Sequence, residues 1–280
     1  MNKKPLLGKV AVVTGSSRGI GRGIAVGLGE LGATVYITGR STGTGPLTID
    51  ATASLVNEVG GKGIPIEVDL GKDDEIQGLF EKIRESEGRL DIHVNNAFKI
   101  PNPPVWGGKF WEHPIQIWDD QVGIGLRSAY IASVHAVRLM MEQEDSIRFM
   151  VNISSSGSER YALSASYGIA KMGTDRLTRD FAIEGKEDGL CVIGLWPSQV
   201  LTEFIIESIE KGDIELDEEN SETPLYTGRV IGALAIDPNR YEKNGQVLTT
   251  AEVAVDYDIS DERGKQPKGK RTPTMYRESI

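Results

Sequence analysis

Seven short runs rich in β-branched residues recur along the chain, at 9–14, 34–38, 63–68, 90–94, 148–153, 191–195 and 246–249, and segments with helical apolar spacing fill most of the gaps. Runs of that length read as strands, and the longer 3.6-residue patterns as helices. Such alternation leaves few folds open. Right-handed crossovers return each strand to the same direction, so the expectation is a parallel sheet with helices on both faces. The 280 residues can bury one large α/β core or two small ones, and no internal repeat is visible.

Two segments break the rhythm. Residues 99–114 are rich in Pro, Gly and Trp, and 203–222 are strongly acidic; they read as an aromatic loop insertion and a mobile helical flap over a site at the strand ends. Residues 1–260 then form one domain. Residues 261–280, with Lys265, Lys268, Lys270 and Arg271 around Pro267, read as a polar tail that is loosely held rather than docked.

Composition excludes several function classes. A formal net charge of −10 offers no clustered Lys and Arg for a phosphate backbone, so no nucleic-acid partner is expected. Cys191 is the single cysteine, which rules out an intrachain disulfide and suits a reducing, cytoplasmic setting. The opening Lys3-Lys4-Pro5-Leu6-Leu7 could mimic a signal peptide, but Gly8 and Lys9 break the apolar run and no targeting segment is expected. No apolar stretch reaches the ~20 residues of a membrane helix. His93, His113 and His135 lack the spacing of metal ligands, and no metal is expected.

Between the first strand run and the first helical pattern lies Thr14-Gly15-Ser16-Ser17-Arg18-Gly19-Ile20-Gly21. Gly15 permits a sharp turn, Gly19 lets backbone approach a ligand, and Gly21 lets the helix pack close to the sheet, so the free amides at the helix start can face a pyrophosphate. The second run ends in Thr38-Gly39-Arg40, with glycine where an NAD-selective site would place a carboxylate. Arg40 and Arg18 suit a 2′-phosphate instead. Charge-assisted contacts of that kind are worth roughly 1.5–3 kcal/mol each, so NADP(H) is expected over NAD(H). Asp69, ending the third run, is placed to hydrogen-bond an adenine edge.

Tyr167 and Lys171 are four residues apart, about one helical turn, so phenol and ammonium share a helix face. A neighbouring cation favours the phenolate and is expected to bring the phenol down from ~10 toward working pH. The cluster Ser154-Ser155-Ser156 lies a short way upstream.

These motifs, with Asn95-Asn96-Ala97 and Pro197-x-x-Val200-x-Thr202, occur in the order and at the intervals of the short-chain dehydrogenase/reductases, a family the chain resembles over about residues 5–250. Stretches at 125–127, 195–197, 224–229 and the strand-like 251–257 resemble one subgroup more narrowly. The resemblance implies a Rossmann-type doubly wound parallel sheet of about seven strands in a single domain. It makes Tyr167 the general acid when a carbonyl is reduced, and the base in reverse. Lys171 would lower the Tyr167 pKa and hold the nicotinamide ribose. A serine would steady the substrate oxygen; counting from Asn152 gives Ser155 and counting back from Tyr167 gives Ser154, and Ser155 is preferred because loops absorb single deletions. Gly15, Ser17, Arg18, Gly19, Ile20, Gly21, Arg40, Asp69, Leu70, Asn95, Ala97, Pro197, Val200 and Thr202 would hold the cofactor, with Asn95 lining its cleft.

Departures from the family pattern are specific. Phe98 stands where a glycine usually follows Asn-Asn-Ala, and Ser198 where one usually follows Pro197. Gly125 stands for the helix Asn whose main-chain carbonyl holds a water behind the lysine. Glycine keeps that carbonyl, so the relay is expected to survive, with Gly123 and Gly125 loosening the helix by roughly 1 kcal/mol each relative to alanine. Gly125→Asn is accordingly expected to change turnover little.

Trp106, Phe110, Trp111 and Trp118, with Phe98 and Trp196 at neighbouring strand ends, either pin the inserted loop or line a pocket for a fairly large apolar carbonyl substrate such as a steroid, quinone or lipid-derived ketone. The expected function is NADPH-dependent carbonyl reduction. The alternatives are a catalytically weak NADP-binding sensor or scaffold, and an NAD-linked alcohol dehydrogenase. Family resemblance further implies a homo-oligomer built on helices 115–143 and 165–187, dimer or tetramer.

Overall fold

A computed structural model describes residues 4–268. The seven strands are β1 Val10–Val13, β2 Thr34–Gly39, β3 Lys62–Glu67, β4 Ile92–Asn95, β5 Phe149–Ile153, β6 Cys191–Trp196 and β7 Val247–Thr249. They form one parallel sheet in the order β3-β2-β1-β4-β5-β6-β7. The order reverses between β1 and β4, and such a switch point opens a crevice beyond the strands' carboxyl ends.

The helices are α1 Gly19–Glu30, α2 Ile49–Glu58, α3 Asp73–Glu87, α4 Gln116–Trp118, α5 Ser128–Met141, α6 Ala165–Glu184, α7 Glu203–Glu210, α8 Pro224–Ile236 and α9 Thr250–Asp256. Strand pleating divides the core between them. In β1, Ala11 and Val13 join a cluster with Ile24 and Leu28 of α1 and Val230 and Leu234 of α8, whereas Val10 and Val12 join Ile76, Leu79 and Phe80 of α3 and Leu139 of α5. Central strands are therefore buried on both faces, which is why they read as continuous apolar runs. Edge strand β3 tolerates Pro65, which could not donate to a second neighbour.

Two local expectations change. The strand-like stretch at 251–257 is helix α9: Thr249 and Glu252 form a reciprocal capping box, and burial of Ala251, Val253 and Ala254 shows one helical face turned inward. Residues 261–268 are docked rather than loose. Asp261 is buried and paired with Arg263 at 2.6 Å, Arg263 donates to the Ser221 carbonyl, Lys265 to the Glu218 carbonyl, and Lys268 pairs with Glu219. This arm lies on the acidic segment, held chiefly by the Glu218 and Ser221 carbonyls and by an exposed ion pair at Glu219. Lys270 and Arg271 fall outside the described residues. Of the acidic segment itself only α7 is a regular α-helix, and a bridge between Val200 and Glu222 ties its far end to the body.

Candidate active site

The strand ends bring the sequence motifs into one crevice. Gly15 and Gly19 adopt φ of +63° and +55°, which favour glycine, and a Cβ on Gly15 would lie 2.8 Å from the Ala97 Cα. A Cβ on Gly21 would strike the Gly15 carbonyl and the Asn96 side chain. The turn is thus a backbone-lined cradle opening on the start of α1, and it fits the diphosphate of a dinucleotide. Ser17 is buried beneath it, and Arg22 braces it by donating to the Ser17 and Pro46 carbonyls. Glu203 also enters the cradle. Its Oε2 accepts from the Gly19 amide at 3.0 Å and its Oε1 pairs with Arg22 at 3.3 Å, so a carboxylate from α7 sits at the amides an anion would use.

Arg18 donates to the Ser41 hydroxyl and the Leu47 carbonyl, and Arg40 stands at the end of β2, its guanidinium 3.9 Å from Asp69. Both arginines are exposed, with Asp69 between Arg40 and the buried Leu70. Ile20 packs against the core at the first turn of α1.

The Asn95 side chain does not line the cleft. It is spent inside the sheet, its Oδ1 accepting from His93 Nε2 at 2.9 Å and its Nδ2 donating to the Ser133 hydroxyl and the Asn152 side-chain carbonyl at 2.8 Å. Asn95 and Asn152 are register partners on β4 and β5, and Asn152 continues the ladder to Thr178 of α6. Buried His93 is pulled down to about 4 by desolvation and stays neutral. The neighbouring Asn96 faces the turn instead, donating to the carbonyls of Thr14 and Gly15.

Ser155 Oγ lies 2.8 Å from Tyr167 Oη, whereas Ser154 Oγ donates to the Lys171 carbonyl from a buried position. Tyr167 is placed by the N-cap of α6, where Ser164 accepts from the Tyr167 amide. Gly157 leaves room for its ring: a Cβ there would be 2.5 Å from Cε1. Lys171 is buried one turn on, donating to the Ile153 carbonyl at 3.2 Å, with its ammonium 5.8 Å from the Tyr167 ring centroid.

The expected lowering of the phenol does not occur. Desolvation pushes Tyr167 above its ordinary 10, and the Ser155 hydrogen bond offsets this only in part. Lys171 is itself pulled down to about 8 by burial, moderated by the Asp175 carboxylate a further turn along. Asp175 accepts from Ser158 and from the Trp196 indole and is raised by desolvation. Sequence reading passed over Asp175, although its i+4 spacing from Lys171 was the signal.

Gly125 falls in a nine-residue π-helical stretch, Asp119–Arg127, that joins α4 to α5. A Cβ at 125 would lie 2.7 Å from Phe98 Cδ2, so an asparagine there would have to displace the Phe98 ring. Gln121 in the same stretch accepts from Ser164 and Ser166 and so clamps the start of α6.

The aromatic lining is smaller than expected. Trp196 is buried with its indole on Asp175, and Phe110 and Trp111 are 69% and 66% exposed, meeting edge to face. Trp106 stacks on Phe204 of α7 at 5.7 Å, so the inserted loop and the acidic segment meet over the crevice. Thr202 caps α7 through its side chain, Pro197 begins the loop, and Val200 pairs with Glu222 below it. Glu222, missed in the sequence, accepts from the Thr227 and Thr250 hydroxyls and the Ser198 amide, and burial pushes it up to about 7.

A family model described as short chain dehydrogenase matches residues 9–212. Dehydrogenase/reductase SDR family member 1 of Mus musculus, the subgroup that the stretches at 125–127, 195–197 and 224–229 resemble, is 39% identical over 94% of this chain and 86% of its own. Among solved structures, 3-oxoacyl-(acyl-carrier protein) reductase from Brucella melitensis in complex with NAD superposes with a TM-score of 0.75 at 23% identity, covering 86% of this chain and 95% of that one. Angucycline C-6 ketoreductase LanV with bound NADP gives a TM-score of 0.75 at 23% identity, covering 88% and 95%. At that identity the structural likeness establishes the fold.

Proposed function

The chain belongs to the short-chain dehydrogenase/reductase family of oxidoreductases, and from that premise we propose that it reduces the carbonyl of a fairly large apolar substrate with NADPH, Tyr167 acting as general acid. The 2.8 Å approach of the Ser155 and Tyr167 hydroxyls, beside the Lys171 ammonium, carries this reading. A carbonyl oxygen between the two hydroxyls would accept a hydrogen bond from each. Bound NADPH supplies the hydride for the carbonyl carbon. As charge develops on the oxygen, Ser155 steadies it and Tyr167 gives up its proton, a transfer of the kind that contributes ~10²–10⁴-fold to rate. Desolvation keeps the phenol protonated, which suits an acid and hence the reductive direction. The nearby Lys171 ammonium would steady the phenolate that is left.

Gly15, Ser17, Gly19, Ile20 and Gly21 would hold the diphosphate, Arg18 and Arg40 the 2′-phosphate, and Asp69 and Leu70 the adenine. Ala97, Pro197, Val200 and Thr202, with Lys171, would hold the nicotinamide half. The exposure of Arg40 at the end of β2 and of Arg18 in the glycine turn favours the phosphorylated dinucleotide. Trp106, Phe204 and Phe98 over the crevice favour an apolar substrate. Exposed Tyr130 on α5 and Ile169, Met172 and Ile183 on α6 favour a homo-oligomer through those helices, and the single buried thiol suits the cytoplasm.

A panel of large and small carbonyls with NADPH, run beside Tyr167→Phe, tests the reading; turnover unaffected by that change removes Tyr167 from the mechanism. Fluorescence titration with both cofactors tests the arginine argument, which tighter NADH binding would overturn.

A further inference from the structure

Phe98, three residues past the end of β4, packs its ring against both residues on which the proposed chemistry depends. The Lys171 ammonium lies 4.7 Å from the ring centroid, and Tyr167 meets the ring edge to face, 5.4 Å between centroids and 85° between planes. A cation at that distance is drawn to the ring's negative face, most strongly where water is excluded. Lys171 is 8% exposed, and the Ile153 carbonyl takes only one of its three N–H donors.

Gly125 closes the space behind the ring. A Cβ there would lie 2.7 Å from Phe98 Cδ2, 2.9 Å from Cε2 and 3.9 Å from the Ala170 Cβ. Carbon pairs attract best at 3.5–4.0 Å and repel well inside it, so the ring would have to leave Lys171 or press on Tyr167. The backbone itself makes no such demand, because Gly125 lies in a helical stretch and outside the left-handed region. Glycine at 125 answers to the ring.

We propose that Phe98 is a positioning residue that holds the Lys171 ammonium beside Tyr167, and that Gly125 provides the volume its ring needs, the two acting as one unit. The inference rests on the reading of Tyr167 and Lys171 as the proton-handling pair. It replaces a view of Phe98 and Gly125 as two unrelated departures with one in which each requires the other.

The test begins without any reaction. In protein carrying 15N-labelled lysine side chains, with the Lys171 signal assigned from Lys171→Arg, Phe98→Leu keeps apolar bulk but removes the aromatic face. The Lys171 titration midpoint is expected to fall by roughly 0.4 to 1.5 pH units; an unchanged midpoint overturns the proposal. A double-mutant cycle then follows NADPH-linked turnover of Gly125→Ala, Phe98→Ala and the pair. Gly125→Ala alone is expected to lower kcat about tenfold with little change in KM, and the double variant to be no slower than Phe98→Ala, whereas losses that simply multiply overturn the steric pairing. Melting curves identify a variant that has not folded, and the Phe98→Leu titration then decides alone. If Tyr167→Phe turns over normally, the proposed acid fails; the Lys171 midpoint is read independently and still decides the role of Phe98.

Discussion

Glu222→Gln should reverse part of the pH dependence of this protein's stability. The carboxyl is fully buried, its Oε2 accepting from Thr250 at 2.6 Å and from the Ser198 amide at 3.3 Å, and its Oε1 from Thr227 at 2.9 Å. Desolvation outweighs these bonds and raises it from 4.5 to about 7. Between those values the folded chain holds a proton that the unfolded chain has released. Stability from this group is therefore full below about pH 4.5, declines as pH rises toward 7, and stays low above it. At about 1.4 kcal/mol per pH unit the loss comes to a little over ~3 kcal/mol. Glutamine cannot ionise and escapes it. Its amide must instead turn a threonine hydroxyl into an acceptor, a pH-independent cost of about 1 kcal/mol. Urea unfolding of both proteins at pH 5, 6, 7 and 8, at one protein concentration, should show the variant less stable at pH 5 and more stable at pH 8. All other ionisable groups are common to both and cancel in the difference. Parallel curves would refute the burial argument, and with it the idea that the loop carrying Ser198, Val200 and Thr202 rests on a protonated carboxyl.

Glu203→Gln should tighten NADPH binding roughly tenfold, since a carboxylate accepting from the Gly19 amide competes with a phosphate for the same donor; equal or weaker affinity by fluorescence titration would remove it from the cradle. Turnover in the reductive direction should fall above about pH 8 as the Lys171 ammonium loses its proton, and Lys171→Arg should erase that limb from whatever rate it retains. Truncation after Ser260 removes the contacts of Asp261, Arg263, Lys265 and Lys268, so limited proteolysis should cut 211–221 faster and KM for a large carbonyl should rise; an unchanged cleavage rate would show that the arm holds nothing.

The sheet was legible because period and length separate short β-branched runs from helices, and all seven runs became strands within a residue or two. Residues 251–257 misled because Ala, Val and Asp suit either state locally, and the capping box at Thr249 decided for helix. Asn95 was read by its place in a motif, yet its side chain turned inward because parallel register set it beside Asn152. Glu203 and Glu222 read as parts of one solvated acidic stretch. One reaches the α1 amides and the other is buried under the loop that carries Ser198, Val200 and Thr202, contacts between residues 184 and 28 positions apart that no local pattern encodes.

Sequence alone therefore determined which residue types stand at the strand ends: a glycine turn before the first helix, a tyrosine and lysine one helical turn apart, and a serine cluster to meet them. Spacing along one element is local geometry, and local geometry survives in the chain's order. The tertiary structure decided the electrostatics and the volumes. It set Ser155 rather than Ser154 against Tyr167, raised the phenol through desolvation although a lysine lies near, and filled the space at Gly125 with the Phe98 ring. Burial and steric exclusion depend on every element that closes around a group, and those neighbours come from strands and helices far apart in sequence.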